Sequence, residues 1–484
     1  MISATAYVSA AAHLRHIHRT YNTMVALVFS RLRPLTLSAG LLLLTACGGQ
    51  QAESRTTAQQ PDTAVAAASA DTAAERAAAA PTRTPRSAAP PIIRGIYLNA
   101  YAAGSSNRLG RLLEIAENTE INAFVVDVKD EKGIHYRGSE VALANELAQP
   151  GELTIRDLKA FADTLRARNV YSIARIVVFK DPGLAQAKPE WSIRTPDGGL
   201  WRDRAGNHWV SPWDPNVWEY NIQIAEEVAR AGFDEIQFDY IRFPEPYRRT
   251  LPPQVHRHAQ GDRTDAVAAF LNTARDRIHP LGAPVGVDLF GLSPNTFDDV
   301  DIGQQWETLV AAADHVLPMV YPSHYLATHL PGVSNPNQMP YETVYKSLGM
   351  AVIRNERMRQ VGVEPARLIP WLQAFTATWI NRSNPYSYGP EQFRAQVRGV
   401  YDVGLEDWIL WNAASRYDQM SEAFGRSTES RAKQWSGDPE LNNLIDQFER
   451  RGVLAARERA AEQAAGRTTN REAAAAARSG DAGS

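Results

Sequence analysis

Cysteine is almost missing from this sequence. The 484-residue chain holds one, Cys47, which excludes an internal disulfide. A dominant charge is missing as well: 51 Lys and Arg stand against 54 Asp and Glu, a net charge of -3. No basic run with interleaved aromatics occurs, so nothing points to a nucleic-acid partner or to general attraction by an anionic surface. Long apolar runs are absent too. The run LTLSAGLLLLTAC over residues 35–47 falls short of the roughly 20 residues that a membrane-spanning helix needs. There is no HExxH zinc helix, no G-x-S-x-G nucleophile elbow and no glycine loop to cradle a phosphate. His315, His324 and His329 lack the tight spacing of a zinc helix. Neither a metal nor a cofactor is expected.

What is present begins with Arg31 and Arg33 ahead of that short apolar run, the order of a basic n-region and an h-region. Leu44-Thr45-Ala46-Cys47 resembles the lipobox of bacterial lipoproteins. In that family the signal is cut before the cysteine, which then carries the lipid. The resemblance implies a signal peptide over residues 1–46, lipidation at Cys47 and a lipid anchor in the bacterial cell envelope. Gly48 after the cysteine favours the outer membrane, on its periplasmic or surface side. A start at Met24 would give a signal of more usual length. An ordinary signal peptide with a chance cysteine is the alternative. Residues 48–91 are rich in Ala, Thr, Gln and Pro with hardly a large apolar side chain, and read as a disordered tether. Aromatics nearly vanish again after residue 436, where a polar helix over 441–465 and a loose end are expected.

Between these limits, over residues 92–435, short apolar runs alternate with amphipathic patterns, as in an α/β fold with parallel strands. Eight strands are expected, beginning near Arg94, Ala123, Tyr171, Glu235, Pro284, His315, Arg367 and Asp407. Helical patterns cover 108–120, 154–169, 216–232, 265–278, 341–361 and 390–403. Eight such units predict a (β/α)8 TIM barrel. An open doubly wound sheet is the alternative, but no Gly-rich fingerprint follows the first strand.

In such barrels the chemistry sits at the C-terminal ends of the strands, and one parity of each strand faces inward. GFDEIQFDYIRFP places Gln237 and Asp239 on one parity and Ile236, Phe238 and Tyr240 on the other. The same reading puts Tyr97 and Asn99 at the end of the first strand, Asp127 and Lys129 at the second, and Arg175 within the third. Asp288 ends the fifth, Tyr321 the sixth, Gln373 the seventh, and Trp411 lies in the eighth. Arg242, His324 and Trp371, close to these positions, join the expected binding set. A satisfied Asp–Lys or Asp–Arg pair is the plain structural alternative for Asp127, Lys129 and Arg175. Asp239 and Asp288 are harder to explain so, since two acids end neighbouring strands among apolar residues.

The longest insertion, residues 181–215, carries Trp191, Trp201, Trp209 and Trp213 among Gly, Asp, Asn and Pro. A loop this long inside a compact domain is usually functional. Exposed aromatic faces suit a sugar ring, whose C–H face stacks while its hydroxyls take hydrogen bonds. Trp209 and Trp213 are the expected platforms. One or two of the four are expected to pack the loop onto the barrel instead. Tyr325, Phe375 and Trp379 would extend the rim.

IRGIYLNAY, FVVDVKDEKG, MVYPSHY and above all WVSPWDPNVWEYNIQIAEEVARAGFDEIQFDYIRFP resemble a family of bacterial glycoside-hydrolase domains with a TIM barrel. A more distant likeness is to the chitinase-type strand D-x-x-D-x-D-x-E. Asp234 and Asp239 match its first and last aspartates, but Gln237 replaces the middle one and Ile241 the proton-donating glutamate. Trp371-Leu372-Gln373 supplies no carboxylate for families with one on strand seven. The amylase-like arrangement, with acids on strands four and five, fits better. The resemblance therefore implies hydrolysis of a glycosidic bond in an envelope or extracellular polysaccharide by Asp239 as nucleophile or base and Asp288 as acid, with Asp127 in reserve. A lipoprotein that binds polysaccharide without cleaving it is the competing expectation.

Overall fold

The computed structural model describes residues 89–449 and Ala461. The expected signal segment, Cys47 and nearly all of the expected tether lie outside the described residues. Eight strands run in chain order: β1 Arg94–Leu98, β2 Ala123–Asp130, β3 Tyr171–Val177, β4 Glu235–Asp239, β5 Val285–Phe290, β6 His315–Met319, β7 Trp371–Gln373 and β8 Trp408–Trp411. Each pairs in parallel with the next, and β8 returns to β1, so the sheet closes into the expected (β/α)8 barrel.

Helices follow the strands: α1 Ser106–Asn118, α2 Leu158–Ala167, α3 Pro215–Ala231, α4 Arg263–Ile278, α5 Trp306–Ala312, α6 Pro340–Gln360 and α7 Pro390–Asp402. Asp157, Asp214 and Asp262 cap α2, α3 and α4 by accepting backbone N–H groups of the first turn. Gly232 ends α3 at φ 113, a left-handed turn that glycine enters without steric cost. The sequence pattern missed α5, because a helix of 7 residues is too short to show a period.

Strand parity divides the core in two. Tyr97, Val125, Ile173, Leu317, Trp371 and Ile409 fill the barrel interior. Phe124, Val126, Ile236, Phe238, Val287 and Leu289 face the helices. Each such buried apolar side chain contributes about 1.5–3 kcal/mol. A slip of one residue in β4 would put Phe238 inside and Asp239 among apolar helix faces, so burial fixes the register and with it the inward acid.

Two strands depart from the regular pattern. In β2 the pairing with β3 shifts between Asp127, which faces Arg175, and Lys129, which faces Ile176. This bulge turns Lys129 out of the interior parity that the sequence implied for it. The stretch before β7 is broken: Arg367–Leu368 pairs with β6 separately, and Ile369-Pro370 intervenes, where proline has no N–H to give a ladder. The expected polar tail begins with a docked helix, α8 Pro439–Phe448, whose Leu441 and Ile445 pack on Met350 and Ile353 of α6 beside Trp435. Among the described residues no helix is long and apolar enough to cross a membrane.

Below the barrel, Asp314 ties α4 to the start of β5. It accepts from Arg275 Nη2 at 2.7 Å and from the Val285 N–H at 2.8 Å, and meets His279 Nε2 at 2.7 Å. Burial opposes its charge, but His279, Arg275 and the Val285 N–H together pull its pKa down to about 2. The folded value lies below the unfolded one, so this stabilisation is present above about pH 4 and is lost as pH falls towards 2. Asp314→Asn is expected to cost about 2 kcal/mol at pH 6 and almost nothing at pH 2, read from urea unfolding at both values.

Candidate active site

β4 ends on Asp239, and the next residue, Tyr240, has φ 50. Few non-glycine residues adopt that conformation, and it marks a sharp exit from the strand. The Tyr240 N–H turns back to donate to Asp239 Oδ1 at 2.5 Å. Phe238 pairs with Val287, so one step further up Asp239 and Asp288 stand side by side, both inward.

Arg175, one strand over, holds the group together. Its Nε donates to Asp239 Oδ2 at 2.9 Å, and its Nη2 donates to the same oxygen. Nη1 donates to Asp127 Oδ1 at 2.5 Å, while Nε lies 3.9 Å from Asp288 Oδ2. The planar guanidinium thus serves three acids at once, which a lysine point charge could not do. Tyr97 OH donates to the other oxygen of Asp127. The Arg175 guanidinium lies over the Trp411 ring at 5.2 Å, and Tyr97 stacks on Trp411 at 4.0 Å.

The two strand-end acids live in different surroundings. Asp239 accepts on both oxygens from three donor groups, two of them on a guanidinium. Asp288 Oδ1 accepts from Gln237 Nε2 at 2.5 Å and Trp371 Nε1 at 2.6 Å. Burial first, and the Asp239 charge second, push its pKa well above the usual carboxylate range, against Arg175, Trp371 and Gln237. Burial also raises Asp127, although Arg175 opposes the rise.

Above these acids opens a cavity of about 360 Å³, within the range of small-molecule sites. Asp239, Asp288 and Arg175 form its floor, Trp371, Trp411 and Tyr321 one wall, and Tyr240, Arg242 and Phe290 another. His324 lines the first wall amid Tyr321, Phe375 and Trp379, and burial pushes its pKa down to about 4. Gly291 is required where it stands: a Cβ there would lie 2.3 Å from the Met319 carbonyl oxygen and 2.6 Å from Tyr325 OH.

Several expected binding residues are occupied elsewhere. Lys129 is fully buried on the helix side, donating to the Val177 carbonyl at 2.6 Å and paired with Asp181 at 2.9 Å, because of the β2 bulge. Asn99 caps the short helix Ala100–Gly104 and donates to the Ala413 carbonyl. Gln373 accepts from Ser323 N–H and donates to the Phe375 carbonyl, which fixes two loops and leaves its amide without a free end towards the cavity. Tyr97, Asp127 and Gln237 stand behind the cavity surface, holding the acids or Arg175.

The tryptophan loop also corrects an expectation. Trp201 and Trp209 are buried, with indole N–H groups donating to the Pro252 carbonyl and to Asp203. Trp213 donates to the Gln260 carbonyl and packs on Phe243 and His256. The loop folds on itself through antiparallel bridges such as Ser192 with Val210, so these rings form its own core rather than a sugar platform. Trp209 instead lies under the Arg242 guanidinium at 5.0 Å, supporting a residue that does face the cavity. The three histidines are not gathered: His315 pairs with Glu235 at 2.9 Å, and His329 accepts from Leu326 N–H. Asp234 is also structural, accepting from Ser172 N–H and Oγ before β4 starts.

Sequence reasoning missed Glu245, Tyr247, Phe290 and Gly291, all of which line the cavity. The available signal was position: Glu245 follows Asp239 in the same segment, between two prolines.

No relative was found among the curated proteins. Among solved structures, a hypothetical protein from Ruminiclostridium thermocellum is 34% identical, with 40% of this chain and 96% of that one covered and a TM-score of 0.36. The glycoside hydrolase domain of PgaB (BpsB) from Bordetella bronchiseptica is 15% identical over 71% of this chain and 100% of its own, TM-score 0.49. A chitinase from Chromobacterium violaceum is 13% identical over 69% and 97%, TM-score 0.39. Residues 95–417 match the family described as "Putative glycosyl hydrolase domain", and the chain belongs to that family.

Proposed function

We propose that this protein hydrolyses an O-glycosidic bond in a cell-envelope or extracellular polysaccharide, held at the envelope by a lipid on Cys47. The reading is carried by one observation: two acids at the ends of β4 and β5 face one cavity, in unlike surroundings. Glycoside hydrolysis needs such a pair, one carboxylate to attack or to activate water and one acid to protonate the leaving oxygen. Asp239, an acceptor on both oxygens, takes the first role, and Asp288, whose pKa burial pushes up, takes the second. Arg175 holds Asp239 in place, and Trp371 and Trp411 line the cavity beside the acids.

A second reading is favoured by Ile241, fully buried in the apolar core where the chitinase-type pattern carries its acid. On that reading the cavity binds polysaccharide without turnover. Purified protein incubated with a panel of envelope and extracellular polysaccharides, assayed for new reducing ends, separates the two. Release of reducing ends that Asp239→Asn and Asp288→Asn abolish, with binding kept, is expected. Binding by the wild-type protein with no reducing ends on any polymer would leave the binder.

A further inference from the structure

Two arginines and three acids face the cavity. Arg175 carries Asp239 on the floor, and Arg242 carries Glu245 at the side, with Nη1 3.5 Å from Oε2. Asp288 is the third acid on the surface, and Asp127 lies behind Arg175, off it. His324, the remaining titratable nitrogen, is held neutral among aromatic rings. Two cations thus meet two of the acids, and burial with the charge beside it pushes the third, Asp288, towards its neutral form.

The second pair is built unevenly. Arg242 is buried, donates to the Phe243 carbonyl at 3.0 Å, and is flanked by Trp209, Tyr240 and Phe290 at 5.0, 5.2 and 4.6 Å. Glu245 has a side chain 21% exposed, and Arg242 is its one partner among the described residues. A rigid donor therefore stands beside a carboxylate with acceptor capacity left over. Vicinal hydroxyls of a sugar ring match a carboxylate of this kind.

We infer that the Arg242–Glu245 pair is a specificity element that selects an uncharged glycan and reads its hydroxyls, Glu245 accepting from them beside the fixed guanidinium. The inference rests on the hydrolase reading and names its substrate class. A uronate would leave water to face Asp239 and Glu245, and an amino sugar would bring its ammonium to Arg175 and Arg242. Neither finds a surplus counter-charge to offset its desolvation. A neutral ring loses only hydroxyl hydration, which the pair replaces.

The test is binding of three oligosaccharides of equal length by the full chain: a neutral hexose oligomer, its uronate counterpart and its amino-sugar counterpart. Kd is read by titration calorimetry, or KM where cleavage occurs. The wild-type protein is expected to bind the neutral oligomer at least about tenfold tighter than either charged one. Glu245→Gln should weaken that binding about tenfold or more, the scale of a hydrogen bond to a charged group, while improving uronate binding. Unchanged melting of this variant guards against misfolding. Equal or tighter binding of a charged oligomer, or unaltered affinity in Glu245→Gln, overturns the inference. Neutral selection without cleavage of any polymer would support this element and remove the hydrolase reading alone.

Discussion

Asp239→Asn is expected to lower kcat on a cleaved polysaccharide by about 10³-fold or more, the larger end of what one acid–base group supplies. The change removes a charge and turns one acceptor into a donor, facing either Arg175 or the Tyr240 N–H. It therefore strains the floor as well as the chemistry, and its unfolding must be measured beside its rate. Asp288→Asn is the cleaner variant. Burial pushes Asp288 towards the neutral acid, which an amide matches in shape and charge, and the carbonyl oxygen can still accept from Gln237 and Trp371. Its stability should stay within about 1 kcal/mol of wild type. Its rate should collapse on sugar leaving groups but survive on aryl glycosides whose leaving group needs no proton. The high-pH limb of the rate profile, which reports loss of that proton, should vanish with it. Full activity of either variant on polysaccharide would end the proposed assignment.

Arg175→Met should give the largest stability loss in the barrel, about 3–5 kcal/mol at pH 7, the cost of breaking a buried ion pair from one side. It removes the cation shared by Asp127 and Asp239 and close to Asp288, all of them buried. Burial already raises Asp127 and Asp288, and without the guanidinium that opposes the rise they go higher still. The penalty is then fully expressed only above the raised values, and it disappears as protonation neutralises the acids. Urea unfolding of variant and wild type at pH 8 and pH 5 checks this sign. The deficit should be smaller at pH 5, and a deficit equal at both values would mean that lost packing, not stranded charge, is responsible.

Much of this architecture could be read from the chain itself. Periodicity located all eight strands, and parity placed Gln237, Asp239 and Asp288 inward, because burial of the alternate residues leaves the polar ones no other side. The same rule failed for Lys129, where a bulge in β2 reversed the side on which the residue emerges. It could not foresee that Asn99 and Gln373 would be consumed by a helix cap and two loops. Nor could it see that Trp201, Trp209 and Trp213 would serve the interior of their own insertion, since composition does not distinguish an exposed ring from one that a loop closes over.

What the sequence determined by itself is the barrel and the pair of acids on adjacent strands, since both follow from short-range alternation repeated along the chain. What only the tertiary structure decided is which of the polar residues share a surface. Arg175 among three acids and the raised pKa of Asp288 depend on groups far apart in the chain and on burial within the closed barrel. Charge and desolvation act through space over a few ångströms, and no local pattern in the chain encodes such distances.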